Sequence, residues 1–115
     1  MASKMNHDHF ESWVRKINLL VEAEKVTFKK HCILRMRQRS ISVNEFKEAM
    51  KKAEIVEYYE DDYPFPSALI LGYTSAERPL HAVVSLGQGN GILWVITLYE
   101  PSTKLWSDNF KKRRG

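Results

Sequence analysis

The sequence predicts an α+β domain, with three N-terminal helices followed by a four-stranded, mainly antiparallel sheet. Three observations predict it. Apolar residues recur at helical spacing through the first half of the chain; from residue 54 the period shortens to two; and the alternating runs are joined by short turns bearing proline and glycine. The 115 residues suit one domain with one hydrophobic core, residues 1–115, flexible at residues 1–8 and 108–115.

Asp8-His9-Phe10-Glu11 has the spacing of a helix start, and Phe10, Trp13, Val14, Ile17, Leu20 and Val21 follow on one face, so the first helix runs over roughly residues 9–24. Val26-Thr27-Phe28 reads as a short extended connector into a second, basic helix. Ser42 and Glu45 then form a capping box, with Ile41 placed to pack on Phe46, and Phe46, Ala49, Met50 and Ala53 give a third helix its buried stripe. Strands follow at residues 55–59, 67–73, 79–85 and 92–99, the last the most apolar and so expected inside the sheet. Prolines 64 and 66 make residues 60–66 a loop, and Gly87, Gly89 and Gly91 make a hairpin loop whose surroundings do not suit nucleotide phosphates. Trp106 and Phe110 can pin part of the tail, ahead of a mobile Lys111-Lys112-Arg113-Arg114.

Composition is that of a globular protein, 43% hydrophobic and 28% charged, and no apolar run is long enough to cross a bilayer. The start of the chain lacks the apolar stretch of a secretory signal, and the single cysteine, Cys32, excludes an internal disulfide framework; a cytoplasmic location is expected. The net charge of +4 is unevenly spread. Residues 29–39 carry five basic side chains and no acid, residues 40–66 carry three basic and seven acidic ones, and residues 101–115 carry five basic ones against Asp108. Two basic blocks brought together would make one footprint for an anionic partner, RNA or an acidic protein.

The basic helix is the richest stretch. At about 100° per residue, Cys32, Ile33 and Met36 share an arc suited to burial. His31, Arg35, Gln38 and Arg39 share the neighbouring arc, and Arg37 points elsewhere, toward pairing with the acids of residues 54–62. An imidazole beside forked guanidiniums is what a phosphate site requires, although a solvated basic face would look the same.

His31, Arg35-Met36-Arg37-Gln38-Arg39, Ile41-Ser42, Glu54-Ile55-Val56-Glu57-Tyr58, Pro66-Ser67-x-Leu69, Leu71-Gly72, Pro79-Leu80-His81-x-Val83 and Thr97-x-Tyr99-x-Pro101 together resemble a domain of unknown function, family 4258, over about residues 26–107. That family resembles the RelE/ParE-like toxin superfamily, the BrnT type nearest in pattern. The resemblance implies helices ahead of a curved antiparallel sheet, RNA cleavage without metal, and a partner antitoxin. Fold-level likeness alone licenses no activity.

Cleavage of that kind needs a base for the 2′-hydroxyl, an acid for the leaving oxygen and cations on the phosphorane. Histidine titrates near neutrality, which points to His31 and His81 as catalytic candidates, with Arg35, Arg39 and Gln38 binding phosphate. His81 shares a strand face with Val83 and Ser85, and Tyr99 with Thr97 can lie on the same face, its hydroxyl donating or its ring stacking on a base. Two readings stay open for His81, a site residue or a buried histidine bonded to backbone, and Tyr99 can equally be packing. Cys32 reads as a core thiol. Asp61 and Asp62 lack histidine neighbours, and His7 with His9 lacks a third ligand, so neither metal nor cofactor is expected. The function expected is thus a toxin-like RNA-binding domain with metal-independent ribonuclease chemistry in view. Its alternative is a non-catalytic module that binds an acidic partner protein.

Overall fold

The computed structural model of the chain describes residues 7–115, apart from the side chain of Asn90. Of the start expected to be flexible, residues 1–6 lie outside the described residues, while His7 and Asp8 already belong to helix α1 (His7–Glu22). Trp13, Ile17, Leu20 and Val21 form its buried stripe, and the Asp8 carboxylate faces the positive end of the helix dipole. The chain continues through β1 (Val26–Phe28), α2 (Lys30–Arg39), α3 (Val43–Met50), β2 (Glu54–Tyr59), β3 (Ser67–Tyr73), β4 (Pro79–Ser85) and β5 (Leu93–Tyr99). A terminal hairpin pairs β6 (Trp106–Ser107) with β7 (Lys112–Arg113).

The class is α+β as expected, but the sheet is five-stranded and mixed, in the order β1-β5-β4-β3-β2. The expected four antiparallel strands are all present. The fifth is the segment read as a connector, since Val26, Thr27 and Phe28 pair in parallel with Leu93, Trp94 and Val95. Three residues are too few to display an alternation, and their partner lies at the far end of the chain. This pairing gives β5 a neighbour on each side, the inner position its apolarity suggested.

Local chemistry sets the angle between α2 and α3. Ser40 closes α2 in the left-handed region (φ 54°), and Ile41 N–H reaches back to the Met36 carbonyl at 2.9 Å, a Schellman-type ending. The Ser42–Glu45 capping box then opens α3 as expected, each side chain bonding the other's backbone N–H at 3.0 Å. α3 lies so close to β3 that a Cβ at Gly72 would come within 2.0 Å of the Ala49 carbonyl oxygen, so only glycine fits there.

The main core lies between the helices and one face of the sheet. Ile17, Phe46 and Met50 meet Ile70, Leu80, Ala82, Val84, Leu93 and Leu98 there, and Phe28 packs edge-on to Phe46. The opposite face carries Leu69, Leu71, His81 and Ser85, all buried, and Trp106 of the terminal hairpin is buried as well. The tail expected to be mobile thus runs as a hairpin whose residues bond to this second face.

Candidate functional site

Helix α2 was the expected site, and it presents an exposed polar stripe. Only Cys32 and Met36 are buried along it. Ile33, placed on the burial arc by its spacing, is 43% exposed, and Leu34 is 48% exposed. The reason is geometric: α2 packs mainly along β5, which covers a narrow arc, and Ile33 falls about 100° beyond Cys32. His31, Arg35 and Gln38 are exposed and have no hydrogen-bond or ion-pair partner among the described residues. Arg39 is different. Its Nη1 donates to the Leu98 carbonyl at 2.8 Å. β1 stops at Phe28, so this stretch of β5 has no strand on its outer side, and Arg39 supplies the donor a strand would have given. Arg39 therefore belongs in part to the scaffold. Burial raises the Cys32 thiol pKa, against a smaller opposing pull from Arg39, in keeping with a core thiol.

His81 and Tyr99 do lie together, as strand alternation suggested, directly opposite one another on β4 and β5. The pair does not reach solvent through His81, which is fully buried. Its Nε2 is 2.8 Å from the Phe110 carbonyl and its Nδ1 is 3.0 Å from the Tyr99 hydroxyl. A carbonyl only accepts, so Nε2 carries the proton; Nδ1 of the neutral ring then accepts from the tyrosine O–H. Tyr99 and Trp106 pack edge-on to the imidazole, with ring centroids 5.3 and 4.5 Å away. Burial holds the pKa of His81 below the ordinary histidine value, outweighing the Phe110 carbonyl and the Glu57 charge, which act the other way. Burial likewise raises that of Tyr99. Of the two readings open for His81, this placement is that of a buried histidine bonded to backbone. No hydrogen bond or ring contact among the described residues joins it to His31.

The group around His81 includes residues that sequence reasoning did not select. Arg113 forks onto Glu57, Nε to Oε2 at 2.8 Å and Nη2 to Oε1 at 3.1 Å, and stacks over Trp106. The Tyr59 hydroxyl also donates to Glu57. Burial, then this bond to the carboxylate, pushes the Tyr59 pKa up to about 12. Burial alone would raise the Glu57 carboxyl, but Arg113 and Tyr59 hold it below the ordinary value. Lys111 pairs with Glu54 at 2.9 Å. Two of the acids expected to meet Arg37, Glu54 and Glu57, are thus taken by the tail, while Arg37 stays exposed on α2. Two basic tail residues are paired within the molecule and add little to any common footprint with α2.

Arg78 is the other residue that gave no sequence signal. Its guanidinium donates to the carbonyls of Ser40 (2.8 Å) and Arg39 (3.0 Å), to Glu45 (3.0 Å) and to Glu100 (2.7 Å). It thereby satisfies the C-terminal end of α2 and ties it to the first turn of α3. The Ser42 backbone N–H, then Arg78, keep the Glu45 carboxyl below its ordinary range. The exposed stripe of α2 consequently projects from a helix held at its far end.

Among the described residues no group of three or more histidine, cysteine or carboxylate side chains is arranged to hold a metal. Asp62 is occupied instead by the Ser67 hydroxyl (2.6 Å) and the Tyr63 N–H (3.1 Å), and His7 pairs with Glu11. No helix among the described residues is long and apolar enough to cross a membrane. Neither the curated proteins nor the solved structures offer a match to the chain. The family model described as Domain of unknown function (DUF4258) matches residues 28–100, a span that opens just before α2 and closes just after β5. By that match, which takes in α2, α3 and β2 to β5, the chain belongs to the DUF4258 family.

Proposed function

We propose that this protein is a toxin-like RNA-binding domain, of RelE/ParE-like type, whose contact with the phosphodiester backbone is the α2 stripe of His31, Arg35 and Gln38. The observation that carries the reading is the state of those side chains. They are exposed, without an internal partner and on a helix with no acid, whereas the basic residues Lys111 and Arg113 of the tail are committed to internal carboxylates. Arg35 offers a planar fork to a phosphate, His31 an imidazole one turn away, and Gln38 an amide on the same arc. Arg39 contributes only the donors left over from Leu98.

Binding is better supported than cleavage. A two-histidine mechanism needs a second imidazole at the phosphate, and both nitrogens of His81 are engaged inside the protein. Cleavage on this geometry would rest on His31 alone, with Arg35 on the developing charge. The test is fluorescence anisotropy with a labelled RNA oligonucleotide over a salt series, with the RNA then run on a denaturing gel. Wild type is expected to bind with an affinity that falls with salt, and Arg35→Ala to bind several-fold more weakly with a salt slope lower by about 0.7. Unchanged binding in both Arg35→Ala and His31→Ala would overturn the reading.

A second reading has its own observation. Ile33 and Leu34 are exposed on the same helix beside Arg37 and Lys30, a mixed apolar and basic patch suited to an acidic partner segment such as an antitoxin. That reading expects a salt-sensitive protein complex weakened by Leu34→Ala, which removes apolar surface without changing the charge of the helix and so leaves RNA affinity alone.

A further inference from the structure

The terminal hairpin covers the His81 end of the second sheet face, but the other end is open. There, between the 60–66 loop and the start of β5, lies a cavity of about 440 Å³ with largely apolar walls, within the ordinary range for small-ligand sites. Trp94 and Ile96 form its floor. Trp94 and Ile96, two residues apart on β5, share one strand face, and a register shift in the β4–β5 pairing leaves Ile96 without a backbone partner there. Gly87, in the left-handed region at φ 63°, backs the indole so closely that a Cβ there would meet the Trp94 Nε1 at 2.9 Å. The Trp94 ring is thereby wedged in place. Tyr63 and Phe65 flank the opening, Tyr63 being 91% exposed.

The polar groups are few. The Lys29 ammonium sits over the Trp94 ring, 4.7 Å from its centroid, and has no carboxylate partner among the described residues. Gln88 adds an amide. The one acid in the wall, Asp62, is already bonded to Ser67 and to the Tyr63 backbone. Aromatic faces, a single available cation and an amide suit a planar ring carrying an anionic group. Lys29 also directly precedes α2, so the cavity and the phosphate stripe are neighbours along the chain.

We infer that this cavity holds one unpaired nucleobase of a single-stranded RNA, stacked among Trp94, Tyr63 and Phe65, with its phosphate at Lys29. The inference rests on the RNA-binding reading and deepens it, because it makes the ligand single-stranded. It also makes recognition tolerant of sequence, since every base presents a π-face and only Gln88 is placed to read an edge.

The test compares a labelled single-stranded RNA octamer with a duplex of the same sequence by anisotropy, using the full chain. The double variant Tyr63→Ala/Phe65→Ala, which removes side chains from the rim and not from the main core, is expected to lose about tenfold in affinity for the single strand, the size of one lost base stack, and nothing for the duplex. Trp94→Leu is expected to do the same, while Arg35→Ala weakens both RNAs. If the double variant and Trp94→Leu bind the single strand like wild type while Arg35→Ala still weakens it, the cavity is not a base site and the phosphate reading stands. Equal losses on the two RNAs also overturn the base site, and absence of binding by wild type to either RNA overturns both readings.

Discussion

His31 and His81 were candidates for one site, and the fold treats them in opposite ways. His31 stands on a helix whose inner arc is used up by Cys32 and Met36, leaving its ring in solvent beside Arg35 and Gln38. His81 stands in the middle of the sheet, enclosed by Tyr99, Trp106 and the Phe110 carbonyl, with no polar atom left to offer. The difference teaches that a histidine on an alternating strand cannot be assigned from its own element alone. Its role was decided by a hairpin that arrives some thirty residues later along the chain. One region spends its polarity on folding, and the other leaves it exposed to solvent.

Substitutions should separate these regions. The largest effect belongs to His81→Ala, which leaves a gap against Trp106 and strips partners from the Tyr99 hydroxyl and the Phe110 carbonyl. About 3 kcal/mol of stability should be lost, read as a lower urea midpoint with the slope preserved. Arg78→Ala comes next at about 2 kcal/mol, because the carbonyls of Arg39 and Ser40 lose a charged donor. It should also weaken RNA binding without touching RNA, since α2 loses its anchor to Glu45.

The pH dependence is smaller and has a definite sign. His81 has a folded-state pKa below its unfolded value of about 6.5, so the unfolded chain takes up this proton more readily. Its contribution is complete above about pH 6.5 and is lost as pH falls from there toward the depressed folded value, at no more than about 1.4 kcal/mol per pH unit. His81→Ala should flatten that limb of a stability–pH curve. Glu45 and Glu57, held below their ordinary carboxylate value of about 4.5, lose their contribution only at more acid pH.

Arg113→Ala should cost about 0.5 kcal/mol despite its fork onto Glu57, because its side chain is 62% exposed and water screens the pair. The smallest stability effects, within about 0.5 kcal/mol, are expected for His31→Ala, Arg35→Ala and Gln38→Ala. A larger loss in any of these three, measured by the same urea titration, would blur the distinction between the two regions.

What could be read from the sequence follows from how local each signal was. The Ser42–Glu45 capping box, the stripes of α1 and α3, and the four long strands were legible because their causes lie within a few residues. The facing of His81 and Tyr99 was legible because alternation on two strands fixes it once the strands pair. The β1–β5 pairing was not, for a three-residue strand has no period to show. Nor was the fastening of the tail: Lys111, Arg113 and Arg114 have the composition of a solvated end, and only the position of Glu54 and Glu57 on β2 gives two of them partners. Arg78 lies in a turn, and nothing near it in sequence announces the end of α2 that it binds. The exposed polar stripe of α2 was legible, but the sharing of Arg39 with Leu98 depended on where β1 stops.

The claim that α2 faces the ligand while His81 serves the fold can be tested residue by residue. Two-dimensional amide and imidazole spectra of the labelled protein would be recorded during titration with a single-stranded RNA octamer. The predicted result is a set of shifts concentrated at Lys29 to Arg39 and at the cavity residues Tyr63, Phe65, Gln88 and Trp94, with the Nε2-protonated ring of His81 and the amides of Trp106 and Phe110 unmoved. Shifts centred on His81, Tyr99 and Phe110, with α2 silent, would contradict it.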